Sequence, residues 1–286
     1  MDRLHLPAEL DAGTLSEWVS AWSDVGEASA LVINVPGASF YRPTVLVALA
    51  ACVAERAERG LATRFETDDP ESKLWRHLRS IDFFNVLGVE AFNSPEQGAP
   101  DERCAPLLRI TDFDIARRNA EAHADCIERQ LPTLAPSLAR MARFVMEELG
   151  ANIVQHSARP QTGFGLAQAF PKLGRFELAF ADRGVGFAAS LQRNPELVGR
   201  IHSDAEALQI ALAPSVSGVG DPRRNMGFGL KLLSSFSDHL GADLWIASGD
   251  AVLHRRNSVG SGRMSTVLAT PRWRGTWVCL DAPIPQ

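Results

Sequence analysis

The sequence predicts an α/β protein of two domains, and three observations carry that expectation. A β-branched apolar run, Ala30 to Val35, is followed by a helix-patterned segment and a second strand candidate. A polar stretch rich in Pro and Gly, from Asn93-Ser94-Pro95 to Asp101-Glu102, then interrupts the chain. Beyond it, a long amphipathic segment opens a series of strands interleaved with helices. Strand–helix–strand order points to a parallel pairing, and a polar Pro/Gly stretch points to a boundary. The organisation reads as a small α/β domain over 1–100, a connecting segment and helix over 101–130, and a larger α/β domain over 131–286.

Each element has its own signal. Pro36-Gly37 breaks the first strand. Pro43 to Arg59 reads as a helix: Val45 to Ala54 is apolar, and Glu55, Arg56, Glu58 and Arg59 suit an exposed last turn. Gly60 follows as a C-cap. Leu61 to Glu66 reads as the next strand and Lys73 to Ile81 as a helix. Asp114 to Arg129 reads as the connecting helix. Pro132 opens a longer one, whose Leu134, Leu138, Met141, Val145 and Leu149 recur at three and four residues as a core stripe. Strands are expected at Phe176 to Ala181, Leu244 to Ala247, Thr266 to Ala269 and Thr276 to Leu280, with helices at Ala205 to Ala213 and Leu230 to Leu240.

Bulk properties exclude several classes. The 286 residues are 45% hydrophobic and 22% charged, ordinary for a globular chain. A net charge of −5 offers no global basic field for nucleic acid. The small basic clusters Arg255-Arg256 and Arg272-Trp273-Arg274 read as solvated faces. Four cysteines, Cys52, Cys104, Cys126 and Cys279, lack metal spacing and are too few for a disulfide framework, which suggests a reducing cytosol. The N-terminus lacks a signal-peptide pattern, and the apolar run from Val45 to Ala54 falls short of the ~20 residues of a membrane span. A cytoplasmic location is expected, with no membrane and no nucleic acid as partner.

Three motifs carry chemistry. Glu148, Asn152 and His156 are four apart, so a helix lines them along one face. An amide oxygen is a hard ligand suited to Mg²⁺, and a carboxylate one turn away can take a proton from an attacking water. Asp182-Arg183-Gly184-Val185-Gly186 follows an apolar strand; its carboxylate can accept the exocyclic amine of adenine, and its glycines let backbone pass close to a flat base. Gly227-Phe228-Gly229-Leu230 precedes a helix candidate, where backbone N–H groups can hold phosphate. Gly163-Phe164-Gly165-Leu166 shares that pattern but reads as a strand whose glycines allow close packing. The phosphate-loop lysine motif and the Gly-x-Ser-x-Gly nucleophile turn are both absent.

In this order the motifs resemble the boxes of the GHKL superfamily of ATPases, which includes gyrase, a heat-shock chaperone and histidine kinases. Glu148, Asn152 and His156 look like its N box, Asp182, Gly184 and Gly186 like its G1 box, Gly227, Gly229 and Leu230 like its G2 box, and Gly275-Thr276 like its closing Gly-Thr strand. The resemblance covers roughly 131–286 and implies a Bergerat-type α/β sandwich, with a mixed sheet, a layer of helices and an ATP lid from about Phe187 to Met226. It implies ATP and Mg²⁺ as cofactors. Asn152 would hold the metal, Glu148 would be the general base, and Asp182 would bind the adenine amine. Gly184 and Gly186 would shape the base pocket, Thr276 would sit near the adenine, and Gly227, Phe228, Gly229 and Leu230 would cradle phosphates. Arg223, Arg224 or Lys231 would meet the phosphate charge. Residues Leu31 to Phe65 are similar to STAS domains, the antagonists that partner anti-sigma kinases; the family's phosphorylatable serine would fall near Thr44, where Arg42 and Pro43 depart from the pattern. The function implied is ATP hydrolysis that switches the lid and a protein partner. An anti-sigma-type serine/threonine kinase and a non-catalytic nucleotide-gated module are the alternatives, and a homo-oligomer is left open.

Overall fold

The computed structural model describes residues 2–7, 9–37, 40–91, 105–132, 134–212, 229–258 and 262–284. The first part runs β1 (Asp2–His5), β2 (Glu9–Leu10), α1 (Leu15–Val25), β3 (Ala30–Val35), β4 (Phe40–Tyr41), α2 (Pro43–Glu58), β5 (Ala62–Thr67), α3 (Lys73–Ser80), α4 (Phe83–Leu87) and β6 (Glu90–Ala91). The second runs β7 (Leu108–Arg109), α5 (Phe113–Gln130), α6 (Pro136–His156), β8 (Phe164–Phe170), β9 (Arg175–Ala181), α7 (Gly186–Leu191), α8 (Asp204–Ala211), α9 (Gly229–Leu240), β10 (Asp243–Ser258) and β11 (Gly262–Pro283). The protein is α/β, with two main sheets as the sequence predicts.

The first sheet has the order β1-β3-β5-β6 and is parallel throughout, with Ala30 opposite Ala62 and Val35 opposite Thr67. The second has the order β10-β11-β9-β8-β7, and every neighbouring pair is antiparallel. This differs from the mixed sheet implied by the resemblance. The chain leaves β9 into helices, re-enters at the far edge as β10, and turns back as β11 into the slot beside β9.

Both faces of the antiparallel sheet are buried. On β9, Phe176, Leu178 and Phe180 pack with Val145, Leu149 and Ile153 of α6 and with Leu233 and Phe236 of α9. The alternate residues Ala179 and Ala181 join a core formed with α1, α2 and the parallel sheet. Helix α2 therefore lies between the sheets and is buried from Pro43 through Arg56. An apolar sequence on all sides is what such a doubly covered helix requires.

That placement corrects the reading of its last turn. Glu55 and Arg56 are buried, and only Glu58 and Arg59 reach the surface. The Arg56 guanidinium donates to Gly26 O and Ala62 O, each at 2.6 Å, and to Thr63 Oγ1 at 2.8 Å. Gly60, with φ +69°, ends the helix as expected. At the other end Thr44 is 0% exposed, its N–H donating to Glu177 Oε1 at 2.7 Å, so its hydroxyl is closed to a kinase in this structure.

The connecting helix is part of the second unit. Asp112 caps α5, and the buried side chains of Asn119 and His123 both reach Gly165 O, at 3.1 and 3.2 Å. A Cβ at Gly165 would collide with the Phe180 ring and Asn119, so this glycine serves close packing as the sequence suggests. Helix α6 begins at Pro136 rather than Pro132. Its buried face runs through Ala139, Ala142, Met146, Leu149 and Ile153. Met141 is exposed, because it lies one position away from this row and about 100° of helix rotation moves it off the core. Arg255 is likewise buried, its guanidinium donating to Ser234 Oγ and facing Asp238 at 3.4 Å, and Trp273 is buried in the core between two arginines, against the expectation of a solvated face; Arg256, Arg272 and Arg274 are exposed as expected.

The Asn93–Glu102 stretch lies outside the described residues, as do Cys104 and 213–226. Among the described residues, no helix is long and apolar enough to cross a membrane.

Candidate functional site

Of the expected site residues, Asp182, Gly184, Gly186 and Thr276 meet at one end of β9. Ala181 is the last strand residue, so Asp182 emerges at the strand end, where its N–H donates to Thr276 O at 2.8 Å. The next amides are also held. Arg183 N–H donates to Thr162 Oγ1 at 3.0 Å, Gly184 N–H to Asp182 Oδ1 at 2.7 Å, and Val185 N–H to Ser157 O at 2.9 Å. Phe187 N–H donates to Ser248 Oγ at 2.9 Å. The loop is thus tied to the end of α6, to β10 and to β11, segments far apart in sequence.

The glycines serve this convergence. A Cβ on Gly184 would strike Ser157 O, and one on Gly275 would strike Asp182 O and approach Gly184 N to 2.7 Å. Gly186 adopts φ +77°, and a Cβ there would meet Ser248 Oγ at 2.7 Å. Gly184 and Gly275 favour glycine because backbone meets backbone, and Gly186 because its φ is positive and the Ser248 hydroxyl is close, reasons the sequence pattern did not supply.

Asp182 is 4% exposed, and burial pushes its carboxyl up to about 6, opposed by the backbone N–H groups of Gly184 and Thr276 and by the Arg183 charge. Such a carboxylate is ionised at neutral pH and starved of water. A donor that reached it would relieve part of the desolvation cost.

Helix α6 carries the other row. Glu148, Asn152 and His156 all fall within it at one-turn spacing. His156 Nδ1 lies 3.3 Å from Ser190 Oγ on α7, and burial, with the Arg193 charge, lowers the His156 pKa. Asn152 is half-buried and Glu148 lies at the surface. Surrounding protein, then the neighbouring Glu147 charge, raises the Glu148 carboxyl above its ordinary range, the direction that suits a base near neutral pH.

Of the phosphate-loop candidates, Gly229 starts α9, and Leu230 is partly buried against both the main core and the apolar cluster of α7 and α8. Gly227 and Phe228 lie outside the described residues, as do Arg223 and Arg224. The first half of the expected lid is folded: Leu191, Leu197, Ile201, Ala207 and Ala211 form a core of their own.

Among the described residues, no group of three or more His, Cys, Asp and Glu side chains could hold a metal ion. A magnesium site at Asn152 fits only the mode in which one protein ligand is joined by waters and phosphate oxygens. The amide oxygen is of the right class for that.

Several residues escaped the sequence reading. Ser157 and Ser248 accept loop amides and carry no local signature. Arg183 and Glu55 form an ion pair beside Asp182, at 2.6 Å. A glutamate ending the otherwise apolar run Val45 to Ala54 was the available hint. Comparison of the chain with protein-family models, with curated proteins and with solved structures finds no match.

Proposed function

We propose that this chain is a Mg-dependent ATP-binding protein of the histidine kinase-like ATPase type, which hydrolyses ATP to switch its lid and a protein partner. The observation that carries the reading is the buried Asp182 carboxylate at the end of β9, in a loop pinned to both α6 and β11. Asp182 accepts the adenine amine, with Gly184, Gly186 and Thr276 around the base. Asn152 is the protein ligand for magnesium, which supplies charge neutralisation at the phosphate oxygens. Gly229 and the segment before it receive the phosphates at the start of α9. Glu148 takes a proton from water; the water oxygen bonds to the terminal phosphorus, the bridging P–O bond breaks, and ADP leaves. A cytosolic setting suits the buried thiols of Cys52, Cys126 and Cys279, which form no disulfide with one another.

Calorimetric titration of Mg-ATP onto the full chain tests this. Asp182→Asn replaces one acceptor oxygen by a donor, and the lost charged hydrogen bond predicts about 10-fold weaker binding or more. Absence of binding to the wild-type chain, or equal binding by this variant, would falsify the reading. Product analysis then separates the chemistries. Inorganic phosphate whose release is lost in Glu148→Ala, with binding kept, supports hydrolysis. Phosphate on a protein side chain assigns kinase activity, and tight binding with neither product assigns a nucleotide-gated module.

A further inference from the structure

The loop that carries Asp182 belongs to the second sheet, yet part of its support comes from the first unit. Glu55, near the end of α2, is 5% exposed. Its Oε2 accepts from Arg183 Nε at 2.6 Å, and its Oε1 accepts from Arg159 Nη1 and faces Arg274 Nη1, each at 3.0 Å. Arg159 also donates to Glu58 and, at 3.3 Å, to Arg183 O. The Arg183 guanidinium lies 4.9 Å from the centre of the Trp273 ring, and Trp273 packs at 6.0 Å on Trp18 of α1, which stacks on Trp22 at 5.7 Å. Arg183 is therefore gripped by one carboxylate and one indole, both backed by helices of the first unit. It immediately follows Asp182 and precedes Gly184, whose N–H holds the Asp182 carboxylate.

We propose that Glu55 is a positioning residue for the candidate nucleotide site, holding the 182–186 loop in its ligand-ready form through Arg183, so that the packing of α1 and α2 against the second sheet sets nucleotide affinity. The effect on affinity rests on the ATP reading above; the effect on loop order does not. A buried carboxylate shared by three guanidinium groups constrains all of them, and the planar Arg183 guanidinium, held at its Nε and over the Trp273 ring, transmits that constraint to its own backbone. Coupling of this kind is reciprocal: nucleotide in the site would tighten the packing of α2.

The test uses the full chain and four variants. Glu55→Gln keeps the size and loses the charge, Glu55→Asp keeps the charge, Arg183→Lys keeps the charge without the planar guanidinium, and Glu58→Gln removes only the outer partner of Arg159. Hydrogen exchange at the Gly184 and Val185 amides is read without nucleotide, and Mg-ATP affinity is read separately. In Glu55→Gln both amides should exchange, and Mg-ATP should dissociate, about 10-fold more readily, within the usual range of site coupling. Glu55→Asp should recover most of the affinity, and Glu58→Gln should stay within about 2-fold of wild type. Unchanged exchange and affinity in Glu55→Gln overturn the proposal, as does equal loss in Glu55→Asp. Should Glu55→Gln fail to fold, Arg183→Lys decides by the same two readouts. A wild-type chain that binds no ATP refutes the nucleotide reading alone, and the exchange result still decides the positioning role.

Discussion

At the scale of single residues, Asp182 shows the cost of burying a carboxylate. Its folded pKa of about 6 stands above its ordinary 3.8. The sign follows: the favourable contribution is complete below about pH 3.8 and is lost as pH rises through about 6, where the folded state must hold a buried charge. Two units correspond to on the order of 3 kcal/mol. Asp182→Asn keeps an oxygen to accept from Gly184 N–H and removes the charge. The variant should therefore match the wild type near pH 4 and exceed it by up to a few kcal/mol at pH 7.5, measured by urea unfolding without nucleotide. A variant less stable than wild type at pH 7.5 contradicts the argument.

At the scale of elements, α2 is fastened at both ends by charges from elsewhere. Its N-cap residue Arg42 makes no side-chain capping bond, and Pro43 opens the helix. The cap is supplied by Glu177 on β9, which accepts from Thr44 N–H at 2.7 Å and from Arg42 Nη1 at 3.1 Å. Burial pushes the Glu177 carboxyl up to about 7, against the lowering effects of Thr44 N–H and Arg42. A carboxylate at a helix N-terminus is favourable, but desolvation offsets much of the gain. Glu177→Ala leaves a buried N–H unpaired and should lose about 1–3 kcal/mol in chemical denaturation. Glu177→Gln keeps the acceptor and should lose much less. Equal losses in the two variants would show that charge, rather than the hydrogen bond, anchors α2.

At the scale of the whole molecule, one hydrophobic cluster contains Leu31, Ile33 and Phe65 of the parallel sheet, all of α2 from Val45 to Ala54, and Phe164, Ala179, Trp277 and Cys279 of the antiparallel sheet. Separating the sheets would expose one face of the second along β8, β9 and β11. A continuous core predicts cooperative loss of both sheets, so tryptophan emission and far-ultraviolet dichroism should follow a single coincident urea transition. Two resolved transitions would show that the Pro/Gly stretch near 93–102 divides independently stable units.

The elements themselves were legible in the chain. Pro43 and Gly60 bracket α2, Ala30–Val35 is β-branched and apolar, and Phe176–Ala181 leads into Asp182. These signals are local, because backbone preference and hydrophobic periodicity act over a few residues. The gathering of Asp182, Gly184, Gly186 and Thr276 was anticipated through motif order rather than derived from pattern. Local pattern could not decide which face of α6 is buried: Ala139 and Ala142 are inside and Met141 is outside, a choice made by what the helix packs against. Nor could it place Glu55, whose partner Arg183 is 128 residues away. A charged residue at the end of a helix looks solvated until a second sheet closes over it. The sequence alone determined β3, α2, β5, α3, α5, β9, α8 and α9; the tertiary structure decided the shared α2 layer, the antiparallel order of the second sheet and the ion cluster beside Asp182, because these depend on surfaces that exist only after distant segments have packed.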